Sequence, residues 1–308
     1  MNASIVVATY NRDEDLVRVI KSVLGQSYNS FELIIVDQTQ EHSKETLGYL
    51  SQIKDPRYRY FLVSPPSIPA AENFGLSKAR GDIIIFVDDD VVLDQNFIKN
   101  HVEAYSSKEV GGVAGRIKVP GQSKSGKLYH ITRTGWNVGG FDYDKDGIAK
   151  SGGRGCNMSF RRNVLVKLGG FDTGYTQNAH RFESDMAYRV IAAGYQIVYK
   201  ASASLTHYHT PTGGSRANSG LFRDEASFAN EFRFFYKNLN HSKLVLILYY
   251  LMQILYVVPH PNPKIAISRI VYLVQGSRNA RINLNNNKLT FKSVVVARGR
   301  YPAKTLMD

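Results

Sequence analysis

The sequence predicts an α/β fold, a doubly wound and mostly parallel sheet followed by a C-terminal helical appendage. Three observations carry this. Short apolar runs alternate with helix-spaced segments through the first third of the chain, the pattern of a parallel sheet with crossover helices. The runs are apolar at consecutive positions, as in strands covered on both faces. They end in polar residues, Asn11, Asp37 and Asp88-Asp89-Asp90, at the carboxyl ends of strands, where open α/β sheets bind ligands.

Taken in order, Ser4 to Tyr10 predicts a strand that stops at Asn11-Arg12-Asp13. A helix follows, with Leu16, Val17, Val19, Ile20, Val23 and Leu24 on or near one face and Gly25-Gln26-Ser27 at its end. Phe31 to Asp37 is a second strand, Ser43 to Gln52 a helix, Tyr58 to Val63 a third strand and Ala70 to Ala79 another helix. Gly81 then opens the central strand, Asp82-Ile83-Ile84-Ile85-Phe86-Val87, which closes abruptly in three acids. Carboxylates so crowded repel one another, and a hard divalent cation is the simplest compensation. The plainer alternative is that Asp88 to Asp90 only end the strand and lead to a helix capped by Asp94. Gly111 to Gly153 reads as a loop-rich stretch.

Beyond Arg216 the character changes. Phe222 to Asn238 reads as an aromatic-rich helix. Leu244 to Val258 is apolar except for Gln253, but at 15 residues it is short for a membrane span. Ile265 to Val274 carries Arg269 in an apolar pattern, with Arg278 and Arg281 just beyond. The reading is a helical hairpin on or dipping into a membrane surface, or else one buried against protein. Asn283 to Asn287 is predicted as a turn and Phe291 to Val296 as a strand.

The 308 residues are 43% hydrophobic, enough to bury a sizeable core. Of the net charge of +13, most lies from Pro211 onward, where fourteen Lys and Arg face four Asp and Glu. Such a balance implies an anionic partner, nucleic acid or the cytoplasmic leaflet of a membrane. The excess charge accompanies long apolar helices and no groove-reading module, which argues against nucleic acid. A single cysteine, Cys156, excludes an internal disulfide and fits a reducing compartment. Asn2-Ala3-Ser4 runs straight into Ile5-Val6-Val7-Ala8 without a basic leader, so no secretory signal is expected.

Motif order adds a resemblance. Ser4-Ile-Val-Val-Ala-Thr-Tyr-Asn11, Glu32-Leu-Ile-Ile-Val-Asp37, Ala71-Glu-Asn-Phe-Gly75 and Val87-Asp-Asp-Asp90 resemble the nucleotide-binding half of family 2 glycosyltransferases with the Rossmann-like GT-A fold. Gly155 to Arg162, Gly169-Gly-Phe-Asp172, Phe182 to Arg189 and Ala193-Gly-Tyr195 resemble their acceptor half, nearest the bacterial surface-polysaccharide and rhamnosyltransferase branch. The resemblance implies a catalytic region over residues 1–218, divided near residue 110, and a membrane-associating region over 219–308. It implies an inverting, metal-dependent enzyme at the inner membrane face. Its donor would be a UDP- or dTDP-sugar and its acceptor a glycan linked to lipid, with an anionic membrane surface and no nucleic acid as partner.

On that resemblance Asp37 accepts from a pyrimidine N–H, although the same position suits a helix N-cap. Thr9, Tyr10 and Asn11 line the same side, and Tyr10 also suits packing. Asn73 stands near ribose and phosphates, but Glu72 replaces the Arg that usually precedes it. Asp88 and Asp90 correspond to the Asp-x-Asp element that holds Mn²⁺ or Mg²⁺, with Asp89 a ligand, donor contact or spacer and His207 a further ligand. Asn157 borders the donor sugar, and the loop Gly213-Gly214-Ser215-Arg216 suits either a fold over phosphate or a plain turn. Glu183 is the implied general base, with Asp185 its alternative. Trp136 and Arg154 face the acceptor, Trp136 as a platform or a core anchor. A nucleotidyltransferase on a similar sheet is the competing enzyme class, but Thr9-Tyr10-Asn11-Arg12 lacks a Gly-rich triphosphate loop.

Overall fold

A computed structural model describes residues 1–214, 225–239, 242–257, 260–286 and 295–296. The first strands form where the apolar runs predict them: β1 (Ala3–Thr9), β2 (Phe31–Asp37), β3 (Tyr58–Ser64) and β4 (Ile83–Val87). Helices α1 (Asp13–Leu24), α2 (Lys44–Gln52) and α3 (Ile68–Lys78) connect them. Ser43 caps α2 by accepting from the Thr46 N–H at 3.1 Å. The four strands pair in parallel in the order β3-β2-β1-β4.

Alternate residues of each strand enter different cores, which explains the unbroken apolar runs. Ile5, Val7, Ile35 and Ile85 pack with Leu16, Ile20 and Val23 of α1 and with Phe97 and Ile98 of α4 (Phe97–Glu103). Val6, Ile34, Ile84 and Phe86 pack with Ala71 and Leu76 of α3 and with Met186 and Val190 of α6 (Phe182–Ala192). Each full burial of such a side chain contributes about 1.5–3 kcal/mol.

The second half of the sheet mixes directions. Short β5 (Val91–Leu93) precedes α4, and β6 (Val110–Lys118), β10 (Met158–Arg161) and β11 (Gln196–His207) complete the order β4-β10-β6-β11-β5. β10 runs antiparallel to β4 and β6, while β6 and β11 are parallel. β6 corrects the expectation of a loop from Gly111. Its glycines serve close packing: a Cβ on Gly112 would lie 2.8 Å from the Phe160 ring, and one on Gly115 would lie 2.1 Å from the Ala203 carbonyl oxygen. The rest of that stretch forms a hood with a small hairpin, β7 (His130–Ile131) and β8 (Asn137–Val138), and a strand β9 (Gly147–Ile148) beside β11.

Helix α5 (Arg162–Lys167) follows β10. At the C-terminal end lie α7 (Glu225–Asn238), α8 (Lys243–Met252) with a π-helical turn Gln253–Val257, and α9 (Pro263–Asn286). The predicted turn at Asn283 is instead the end of α9, so the asparagines continue the helix; Asn287 lies outside the described residues. Strand β12 (Val295–Val296) pairs antiparallel with β3, while Phe291 to Ser293 and Val294 lie outside the described residues.

α7 packs its polar face on the segment leading into α6. Arg233 and Lys237 pair with Asp172, Lys237 also reaches Asp185 at 2.7 Å, and Asn230 donates to the Thr176 carbonyl at 2.9 Å. Glu231 takes both branches of Arg181 at 2.8 Å. Among the described residues no helix is long and apolar enough to cross a membrane.

Candidate active site

Parallel strands end on one edge, so register alone gathers several polar residues. Thr9 of β1 lies opposite Asp37 of β2, and Val7 opposite Val87 of β4. Two residues past β4, Asp89 accepts from Thr9 Oγ1 at 2.7 Å. From the other half, β11 ends beside β5 with His207 opposite Val91. The Tyr208 N–H then donates to the Asp90 carbonyl at 3.0 Å, which sets the imidazole against the acids.

The resulting cluster is Asp88, Asp90 and His207, whose nearest ligand atoms all lie within 4.8 Å of one another. His207 Nε2 is 2.8 Å from Asp90 Oδ1 and 3.8 Å from Asp88 Oδ2. The short contact lies outside hydrogen-bond geometry, so Asp90 Oδ1 is buried without a hydrogen bond. Cys156 Sγ lies 3.9 Å from His207 Nδ1 on the far side of the ring. Asp90 Oδ2 accepts from the Thr210 N–H at 3.0 Å. Burial opposes ionisation of Asp90, but His207, Arg12 and that N–H outweigh it and hold its pKa below the carboxylate range. Two carboxylates and an imidazole around an unsatisfied oxygen fit a divalent cation.

Arg12 is the residue that sequence reasoning missed. Its Nη1 lies 2.6 Å from Asp89 and 3.1 Å from Asp90, and its other nitrogens donate to the Thr212 and Thr210 carbonyls at 2.9 and 3.1 Å. Burial works against the charge, yet Asp89 and Asp90, with Asp88, raise its pKa further. The signal was its place directly after a strand end. Gly213 and Gly214 close over it: both have positive φ, and a Cβ on Gly214 would lie 2.7 Å from Arg12 Cζ. Gly214 N–H donates to the Tyr10 carbonyl at 2.7 Å. Ser215 and Arg216 of that loop lie outside the described residues.

Two cavities meet at Asp88, whose side chain is 46% exposed. The first, about 110 Å³, is lined by Thr9, Tyr10, Arg12, Gln38, Glu72, Asp88 and Asp89, with Pro66 to Ile68 along one side. The second, about 300 Å³, holds Asp88, Asp90, His207, Arg154 and Glu183, roofed by Tyr129, Asn137 and Phe141 of the hood. Asp90 and Glu183 therefore open into one space. Glu183 stands in the first turn of α6, after Arg181, whose φ is +75°. That conformation is costly outside glycine. It is held by bonds from Arg181 to Glu231, to the Tyr129 hydroxyl at 3.0 Å and to Asn137 at 2.8 Å.

Other expected site residues turn inward. Asp185 is fully buried and bound by Arg189 at 2.9 Å, Lys237 and Asn238, so it is placed as a brace of α6 while Glu183 faces the cavity. Asn73 exchanges both amide bonds with the Phe171 backbone, at 2.8 and 2.7 Å. Asn157 joins the Arg116 and Ala203 carbonyls to His101. Asn11 lies exposed at the rim with φ +54°, its N–H on Thr39 Oγ1. Trp136 lies in the β7–β8 hairpin, next to cavity-lining Asn137.

Asp37 also lines neither cavity. Its carboxylate accepts from the Thr39 N–H at 2.7 Å and the Tyr60 hydroxyl at 2.9 Å, and it meets His42 Nε2 at 2.8 Å. The other ring nitrogen of His42 contacts Asp13. Burial alone would lower the His42 pKa, but Asp37 and Asp13 raise it to about 9 from 6.5. The folded value is the higher one, so the stabilisation is complete below pH 6.5 and is lost as pH rises through about 9. Allowing for screening at part-exposed Asp13, it is worth about 2 kcal/mol. Urea midpoints of wild type should fall between pH 6 and pH 10 by more than those of His42→Asn; equal falls would refute this.

Comparison with known proteins bears on the family and the fold. The Glycosyl transferase family 2 model covers residues 4–169. The glucosyl-dolichyl phosphate glucuronosyltransferase of Haloferax volcanii is 25% identical over 67% of this chain and 69% of its own. The O-antigen chain rhamnosyltransferase of Salmonella typhimurium is 26% identical over 69% of this chain and 68% of its own. A mannosyltransferase from Pyrobaculum calidifontis, solved with GDP-Man and Mn²⁺, superposes with a TM-score of 0.52 at 15% identity, over 92% of this chain and 74% of that one. The family match spans more than half of the sequence, and the chain accordingly belongs to glycosyltransferase family 2, with a GT-A fold.

Proposed function

We propose that the chain moves a sugar from a UDP- or dTDP-linked donor to a hydroxyl of a lipid-linked saccharide, with inversion, in surface-polysaccharide synthesis. The observation that carries this is the single cavity shared by Asp88, Asp90 and His207 on one wall and Glu183 on another. Mn²⁺ or Mg²⁺ held by those three side chains would act as a Lewis acid toward the donor diphosphate. Arg12 and Arg154 add fixed positive charge beside the leaving group. Thr9, Tyr10 and Gln38 would contact the nucleoside in the smaller cavity, and the Asp37–His42 pair would support that wall from behind. Glu183 would take the acceptor proton while the hydroxyl oxygen bonds to the anomeric carbon and the bond to the diphosphate breaks. Attack from the face opposite the leaving group gives inversion.

The relatives lend support in kind. One is named for a transfer to a dolichyl-phosphate sugar, and the solved mannosyltransferase binds a nucleotide sugar with Mn²⁺. The direct test is a panel of sugar nucleotides with and without Mn²⁺, reading release of nucleoside diphosphate. Cation-dependent turnover of a UDP- or dTDP-sugar is the expected result, and pyrophosphate release from a nucleoside triphosphate supplied with a sugar 1-phosphate would instead favour nucleotidyl transfer.

The C-terminal helices support a membrane-bound acceptor. Leu244, Ile247, Leu248 and Leu251 of α8 are exposed at helical spacing, and so are Ile267, Ile270, Val271 and Val274 of α9. Lys243, Lys264, Arg278 and Arg281 are present on the same helices. Apolar stripes with basic residues suit the surface of an anionic bilayer. Flotation with phosphatidylglycerol-containing vesicles should be lost in Ile247→Asp/Leu251→Asp and weakened by salt. Retention by that variant would count against the membrane assignment.

A further inference from the structure

We propose that Glu72 reads a hydroxyl of the bound sugar nucleotide and so helps to select the donor. This rests on the glycosyl-transfer reading of the site. Glu72 lies midway along α3, is 5% exposed, and lines the smaller cavity beside Thr9, Gln38 and Asp88. Its Oε2 is buried without a hydrogen bond, and among the described residues it forms no ion pair. A buried polar atom left unmade costs about 1–3 kcal/mol, so a group of this kind lining a ligand cavity calls for a partner that arrives with the ligand.

The chemistry of that partner follows from the surroundings. Burial raises the Glu72 pKa well above the usual range, and the charges of Asp88 and Glu183 raise it further. The neutral acid offers one O–H donor and acceptor lone pairs, which match a hydroxyl. The positive charge of the same cavity, Arg12, is already engaged by Asp89 and Asp90, and Arg154 lines the other cavity, so the surroundings of Glu72 favour a neutral hydroxyl over a diphosphate. Asn73, the next residue, is committed to Phe171 and cannot substitute. The ribose and the transferred sugar both carry hydroxyls, and Glu72 near the junction of the cavities suits either.

The test uses the full chain and the donor found by the sugar-nucleotide panel. kcat and KM are measured for that donor and for analogues lacking single hydroxyls of the nucleoside pentose or of the transferred sugar. Wild type should prefer the hydroxylated donor to one of them by about 10–100-fold in kcat/KM, and the analogue concerned locates the hydroxyl. Glu72→Met should lose that preference, and Glu72→Gln should restore part of it; weaker binding of free nucleoside diphosphate by Glu72→Met would accompany a ribose contact and unchanged binding a contact to the transferred sugar. Equal discrimination by wild type and a folded Glu72→Met overturns the proposal. So does a wild type indifferent to every analogue, a readout that needs no variant to fold. A wild type that turns over no sugar nucleotide would instead defeat the glycosyl-transfer reading itself.

Discussion

Glu183→Gln is expected to lower kcat by about 10²–10⁴-fold while leaving KM for the donor nearly unchanged. The amide keeps the size and polarity of the side chain but cannot take a proton. The proposed donor contacts line the smaller cavity, whereas Glu183 lines the larger one from α6. The paired variant makes the prediction specific. Asp185 is buried among Arg189, Lys237 and Asn238, so Asp185→Asn should lower the unfolding free energy, by up to about 3–5 kcal/mol for an uncompensated buried charge. Single-turnover kinetics and melts on both proteins decide it. Chemistry at wild-type speed in Glu183→Gln would remove the base from the mechanism.

Asp90→Asn is expected to lower turnover by about 10³-fold, the scale of losing one electrostatic contact to a developing anion. It should also weaken Mn²⁺ binding measured by calorimetry without substrate. Asp90 is the most constrained member of its cluster, held by Arg12, Thr210 and His207. Asparagine removes the charge that opposes Arg12 and one anionic ligand atom, so extra Mn²⁺ should recover activity only in part. Unaltered Mn²⁺ affinity would exclude Asp90 as a ligand.

The strand framework and the metal-fitting acids were legible because their signals are local. An apolar run from Ile83 to Val87 ending in three aspartates needs no tertiary knowledge to read. The inward roles of Asn73, Asn157 and Asp185 were not, because each is decided by partners distant in sequence, such as Phe171 for Asn73 and Asn238 for Asp185. A carboxamide that lines a ligand and one that ties two loops look alike in a string of letters. β6 was hidden for another reason. Glycines that admit a neighbouring ring or carbonyl have the composition of a loop. Arg12 stood in plain view after the first strand, yet only the fold brings Asp89 and Asp90 across to it.

The grip of α7 on the approach to α6 bears on how the enzyme can be shortened. A chain ending before Glu225 would strand Asp172 and Arg181, two charges that Arg233, Lys237 and Glu231 now neutralise, and would leave Asp185 with Arg189 alone. Each orphaned charge would cost several kcal/mol, and Arg181 would lose the tether that keeps the turn before Glu183 in its left-handed form. Removing the C-terminal helices to gain solubility would then sacrifice catalysis as well as any anchorage.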